Sequence, residues 1–218
     1  MDEKKISDNT ENIEPKGSAH QKEIDRLNKV IKEGGRLDDV ETEQEGVQIQ
    51  KAHKDLLVKQ DPDSELLRMK LKDTAFPLTD PVKADIKKVQ DLFEELVEAK
   101  IAIGLAAQQA NVTVRVCCVK LGADHITMIN PKIIARRGKK KAFESCMSLP
   151  CVAVEVERPR DITVEYYDLE GERHILSPVL HKYSRRIIHE ANHVDGIMID
   201  TFINKDSSNV RFYLPDWA

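Results

Sequence analysis

Apolar positions are sparse up to about residue 55, where Glu, Asp, Lys and Gln predominate. Ile24, Leu27, Val30 and Ile31 recur there with helical spacing, which predicts a short amphipathic helix over residues 21–32, stopped by Gly34-Gly35. Residues 1–55 therefore read as a polar, flexible extension, with a partner-docking helix as the alternative. From Leu56 the apolar pattern thickens into what reads as one domain over 56–218. Residues 61–67 read as a turn into a short helix. Asp80 as N-cap and Pro81 as first helical residue open a longer one, with Val82, Ile86, Val89, Phe93, Leu96 and Val97 on one face up to about residue 99. The small apolar stretch 101–109 ends in two amides and reads as a tight strand against a helix, or as a close approach to a ligand.

Residues 112–119 form a β-branched run with one charge, hence a buried strand. Residues 126–129 give a second short strand, ended by Asn130-Pro131 and extended by Ile133-Ile134. The basic run Arg136-Arg137-Gly138-Lys139-Lys140-Lys141 follows as a solvated hairpin tip. Pro150 interrupts any regular ladder, which puts Cys146 on a loop or strand end. Val152, Val154 and Val156 then alternate with Ala153, Glu155 and Glu157, a half-exposed strand. Residues 162–167 are another strand, and 168–172 a hairpin turn. Ser177-Pro178 repeats the N-cap and proline pattern. It predicts a helix carrying Leu180, Tyr183, Ile187, Ile188, Ala191 and Val194 on or near its buried face, ended by Gly196. No long periodic segment follows residue 200.

Composition narrows the function classes. The chain has 218 residues, 40% hydrophobic and 33% charged, with net charge −4. It lacks a long basic block or a direct nucleic-acid-binding motif, and no apolar run reaches the roughly 18 residues of a membrane span. The first residues have no apolar core of a secretory signal and are too acidic for a typical organellar transit segment. Cys117, Cys118, Cys146 and Cys151 in a long chain without such a signal fit reduced thiols in a cytosol-like compartment. A cytoplasmic location is expected, with an organellar matrix as the alternative.

The chemistry concentrates in His189-Glu190-Ala191-Asn192-His193. On a helix, histidines four apart share a face and can hold one metal ion, with Glu190 placed to reach a water that the ion activates. Two histidines on a helix can also be structural. A third ligand is not evident downstream. The longer motif fits through Gly196 but ends on Ile199, and no glutamate follows Glu190, leaving Asp195, Asp200, Asp206 and Asp216. Upstream, Cys146 would complete a Cys-His₂ set with a coordination position left open, or is simply a buried thiol.

Gly104-Leu105-Ala106-Ala107-Gln108-Gln109, Glu144-Ser145-Cys146-Met147-Ser148-Leu149-Pro150 and the His189 to Gly196 motif resemble, in order and near spacing, the three motifs of the peptide deformylase family. The resemblance covers roughly residues 56–205. It implies an α+β fold in which short antiparallel β-sheets surround a central metal-binding helix. It also implies a metal-dependent hydrolase that removes the N-formyl group from N-formyl-methionyl peptides and releases formate. By that resemblance Cys146, His189 and His193 bind one divalent ion: ferrous iron, with zinc or nickel as alternatives. Glu190 is the general base and proton shuttle. Gln109 and the backbone N–H of Met147 form an oxyanion hole, and the Gly104 backbone contacts substrate. The implied partners are formyl-methionyl peptides and ribosome-associated nascent chains, although the C-terminus lacks the long basic helix that some members use on the ribosome. Ala102, Ser145, Met147, Ile188, Asn192 and Ala153 depart from the family pattern, which usually has Gly, Gly, Leu, Gln, Asp and Arg there. Ala153 and Ser145 keep open another N-acyl substrate, and the added N-terminal region keeps open a catalytically weak metal-binding interaction protein.

Overall fold

The computed structural model describes residues 63–212; the helix expected over 21–32 lies outside them. Helix α1 spans Glu65–Arg68 and α2 spans Asp80–Glu98. Strand β1 (Gly104–Ala106) leads into a 3-10 turn (Ala107–Ala110), then β2 (Val116–Leu121) and β3 (Asp124–Arg137). After these come β4 (Lys140–Cys146), β5 (Leu149–Arg158), β6 (Asp161–Tyr167) and β7 (Arg173–Leu180). Helix α3 (His181–Val194), a 3-10 turn (Ile199–Phe202) and β8 (Val210–Phe212) complete the order. All strand pairs are antiparallel. They build a five-stranded sheet, β1-β2-β3-β6-β7, and a three-stranded sheet, β4-β5-β8. The expected α+β architecture is thus present.

β1 and β2 are apolar on both faces because a helix covers each. Helix α2 packs against both on one face, and beside them its Gln90 and Phe93 meet Thr127 and His125 of the neighbouring β3. On the other, Gly104 of β1 lies against Glu190 of α3. Helix α2 buries Ile86, Val89, Phe93 and Leu96 and half-buries Val82 and Val97, the stripe its sequence predicts. The three-stranded sheet has a separate small core of Cys146, Val154, Val156 and Ile199, with Phe202 and Ile203 against it. The metal-motif helix therefore sits on the large sheet, while Cys146 belongs to the small one.

Several elements differ from their sequence expectation. Thr79, not Asp80, caps α2, so Asp80 and Pro81 are its first two helical residues. The strand expected over 112–119 forms over Val116–Leu121, with Val112 and Val114 buried in the preceding loop. β3 does not end at Asn130-Pro131 but runs through it at a register irregularity. There the Asn130 side chain accepts from Thr74 N (2.7 Å) and donates to Thr74 O (2.9 Å). Arg136 and Arg137 close β3 and Lys140 and Lys141 open β4, so the basic run is a crossover between sheets rather than a hairpin tip. Pro150 lies inside β5, in the irregular stretch between the Cys146–Leu149 and Ser145–Ala153 pairs, where the ladder has no regular position to lose. Ser177-Pro178 does not start the helix. Both belong to β7, whose edge position tolerates a missing N–H, and Ser177 Oγ is 2.7 Å from Thr163 Oγ1 across the pair. Strand β8, which has no periodic signature, pairs with β5.

Candidate active site

Helix α3 buries Ile187, Ile188, Ala191 and Val194, and this apolar face carries His189, Glu190 and His193 inward with it. Its C-terminus is closed as the glycine predicts. Gly196 has φ +75°, its N–H donates to His193 O (2.8 Å), and Ile197 N donates to Asn192 O (2.8 Å), the paired bonds of a Schellman cap. Cys146, the last residue of β4, points into this helix. The ligand atoms of Cys146, His189 and His193 all lie within 4.8 Å of one another, and Cys146 Sγ is 3.2 Å from His193 Nε2. This is the one such Cys/His/acid group among the described residues. It brings together all three residues expected as ligands.

The donors are tuned by their neighbours. Burial pushes the Cys146 thiol up, but the imidazoles of His193 and His189 outweigh it and hold the thiol well below its ordinary range. Burial would lower His189, yet its bonds to Cys146 and Glu144 raise it well above the usual imidazole value. The pair therefore favours thiolate and imidazolium, and a cation binding there displaces that proton. Burial, by contrast, raises Cys117 and takes Cys118 to about 12, which leaves both as inert core thiols. Glu190 is buried; desolvation raises its carboxyl above the usual range, and the flanking imidazoles only partly offset this. Its Oε2 is buried without a protein hydrogen-bond partner.

Gln109 sits in the 3-10 turn after β1. Its Oε1 accepts from Ala106 N (2.9 Å), and its Nε2 is directed at Ser148 Oγ (3.2 Å) and Cys146 Sγ (3.8 Å). Met147 follows Cys146 directly in a turn, and Gly104 lies beside Glu190: a Cβ at Gly104 would fall 2.2 Å from Glu190 Oε1. Every residue of the expected set thus converges on one place.

Two further contributors lie within the second motif but are not among the expected site residues. Glu144, two residues before Cys146 and so on the same strand face, accepts from His189 Nδ1 (3.0 Å) and fixes which nitrogen of that ring faces Cys146. Burial would raise its carboxyl, but the bonds from His189 and Arg158 hold it well below the usual range. Ser148, fully buried, orients Gln109. Strand period two and the second motif were the available clues to Glu144, and membership of that motif was the clue to Ser148.

The donor chemistry fits a divalent transition-metal ion. One thiolate and two imidazoles suit such ions, leave room for further coordination, and have a buried carboxylate oxygen without a protein partner on the next helical residue.

Comparison with known proteins agrees. The family model described as "Polypeptide deformylase" matches residues 56–208. The peptide deformylase of Nitrosococcus oceani is 34% identical over 138 residues, covering 60% of this chain and 82% of that protein. That of Thermoanaerobacter pseudethanolicus is 33% identical over 142 residues, covering 65% and 83%. The crystal structure of the Thermotoga maritima peptide deformylase superposes with TM-score 0.60 at 26% identity, covering 67% of this chain and 96% of that one. The Synechococcus elongatus peptide deformylase in complex with actinonin gives TM-score 0.61 at 26% identity, covering 76% and 89%. With its site geometry and a family match across most of its length, the chain belongs to the peptide deformylase family, the metal-dependent hydrolases that remove the N-formyl group from nascent peptides.

Proposed function

We propose that Cys146, His189 and His193 are the metal ligands and that Glu190, Gln109, Met147 and Gly104 serve the hydrolysis of N-formyl-methionyl peptides. The convergence of the three ligand atoms within 4.8 Å carries this reading. When bound, the ion supplies Lewis acidity and lowers the pKa of water at the site. Glu190, next to His189 in a desolvated position, takes the proton from the attacking water and returns it to the leaving amine. The C–N bond of the formamide breaks, and formate and a free N-terminal methionine amine leave. The Gln109 amide, held by Ala106 N and Ser148 Oγ, donates to the formyl oxygen, and the Met147 N–H is the second donor. Gly104, lacking a Cβ, lets the peptide backbone and the Glu190 carboxylate share one narrow space.

The finer assignments follow the same reading. Ferrous iron is taken as the physiological ion on the family resemblance, with zinc or nickel as substitutes; the mixed thiolate–imidazole donor set suits each of them. The substrates are nascent chains at the ribosome in the cytoplasm. No helix among the described residues is long and apolar enough to cross a membrane. Residues 56–218 form the catalytic unit and 1–55 an extension. The test is formate release from a formyl-methionyl dipeptide by anaerobically prepared, metal-replete full-length protein, with metal analysis on the same sample. Turnover by the wild type and none by Glu190→Ala is expected; no formate from the metal-replete wild type overturns the reading.

A further inference from the structure

The Glu144 carboxylate accepts four hydrogen bonds, and one donor remains without a role. Oε1 takes Arg158 Nε at 3.0 Å and Arg185 Nη1 at 2.5 Å, and Oε2 takes Arg158 Nη2 at 2.9 Å and His189 Nδ1 at 3.0 Å. That fills every acceptor direction a carboxylate has. Arg158 comes from β5 and would by itself neutralise Glu144. Arg185 comes from α3, one helical turn before His189, so both project from the same helix face onto the same carboxylate. The Arg185 guanidinium does more than pair. Nη1 also donates to Val156 O (3.0 Å) and Nη2 to Lys140 O (2.7 Å). Its one side chain thereby fastens α3 to β4 and β5 together.

We propose that Arg185 is a positioning residue for the metal centre. It pins the helix that carries His189 and His193 to the small sheet that carries Cys146, and it fixes the Glu144 orientation that makes His189 Nδ1 the donor and leaves Nε2 for the ion. The ligands come from two separately packed cores, so their spacing is set wherever the two are joined. Arg185 is such a joint, lying one helical turn from a ligand. A planar fork that meets a carboxylate and two carbonyls at once is specific to Arg; Lys cannot reproduce it.

This rests on reading Cys146, His189 and His193 as the ligands. That reading has its own control: the wild type should bind one equivalent of Co²⁺ and Cys146→Ala should not. Given that control, Co²⁺ affinity of the full-length wild type, Arg185→Met, Arg185→Lys and Glu144→Gln is measured by chelator competition, beside the thiolate-to-Co²⁺ absorption band and thermal unfolding of the metal-free proteins. Arg185→Met is expected to weaken Co²⁺ binding about 10–100-fold and to change the absorption band, with Arg185→Lys giving only partial rescue. Arg185→Met and Glu144→Gln combined should lose less than the product of the two single effects, because both act through one carboxylate. Co²⁺ affinity and spectrum within twofold of wild type in Arg185→Met, whatever its thermal stability, overturns the proposal. Should Arg185→Met not fold, Arg185→Lys decides: wild-type affinity and spectrum there overturn it equally.

Discussion

At the level of single residues, the site is a set of groups whose neighbours leave them few alternatives. Glu190 is buried beside two imidazoles, and no other residue that converges here could carry the proton traffic proposed for it. Replacement of Glu190 by Gln should therefore lower kcat for formyl-methionyl peptide by about 10²–10⁴-fold while one equivalent of metal stays bound; metal content and formate release on one preparation separate the two. Gly104 is the less expected determinant. The Cβ of Gly104→Ala would fall 2.2 Å from Glu190 Oε1, so the carboxylate must move. A displacement of about 1 Å costs roughly 100-fold in kcat, with metal affinity near wild type; unchanged kcat would show that Gly104 serves only substrate passage. Much of this was legible in the sequence, because a helix repeat of four and three separated motifs point to Cys146, His189, His193 and Glu190. What was not legible depends on partners far along the chain. His189 Nδ1 finds Glu144 45 residues upstream and Gln109 finds Ser148 39 residues downstream, contacts that no local period encodes.

At the level of elements, helix α2 was readable because its apolar stripe is long and regular, and β6 because its alternation is clean. Strands β7 and β8 were not. Ser177-Pro178 imitates a helix start, but edge strands accept proline, and the pairing of β8 with β5 is decided by tertiary contact rather than by pattern. Helix α3 ends where its glycine says it must. Gly196 is at φ +75°, and a Cβ there would also meet Arg68 O at 2.4 Å. Gly196→Ala should cost at least about 2 kcal/mol, read as a lowered Tm, with metal affinity falling alongside because His193 O loses its cap bond. The β6–β7 turn has a comparable keystone. Asp168 accepts from Glu170 N (3.0 Å), Glu172 N (2.8 Å) and His174 Nε2 (2.6 Å). Burial opposes its ionisation, but these bonds outweigh that and hold its carboxyl below the usual aspartate range. A depressed folded-state pKa contributes stability that is present above the unfolded value near 3.9 and is lost as pH falls through the folded value. Asp168→Asn should therefore be less stable by about 1 kcal/mol at pH 7, with the gap closing below about pH 4. Denaturation midpoints across that range measure it; a gap independent of pH would assign the effect to geometry rather than charge.

At the level of the whole molecule, the two cores would make the proposed metal centre a structural joint as well as a catalytic one. Helix α3 is anchored on β1 and β2 by the large core, and Cys146 rides on the small sheet, whose own core is four buried residues with a few half-buried neighbours. An ion held by Cys146, His189 and His193 ties the small unit to the large one. Because unfolded chain offers no such arranged donors, occupancy at 100 times Kd adds about 2.7 kcal/mol to stability. For a domain of this size that corresponds to roughly 5–10 °C in Tm. The loss on metal removal should not be uniform. β4, β5 and β8 depend on the joint, whereas β2, β3 and β6 sit within the large core. Chelation should therefore speed amide hydrogen exchange in the small sheet and the second half of α3 well before it does so in β2, β3 and β6. Cys146→Ala should show the fast pattern with or without metal, since the variant has lost the ligand that spans the two units. Uniform acceleration across both sheets would mean that the two cores unfold as one cooperative block and that the ion stabilises it only by mass action.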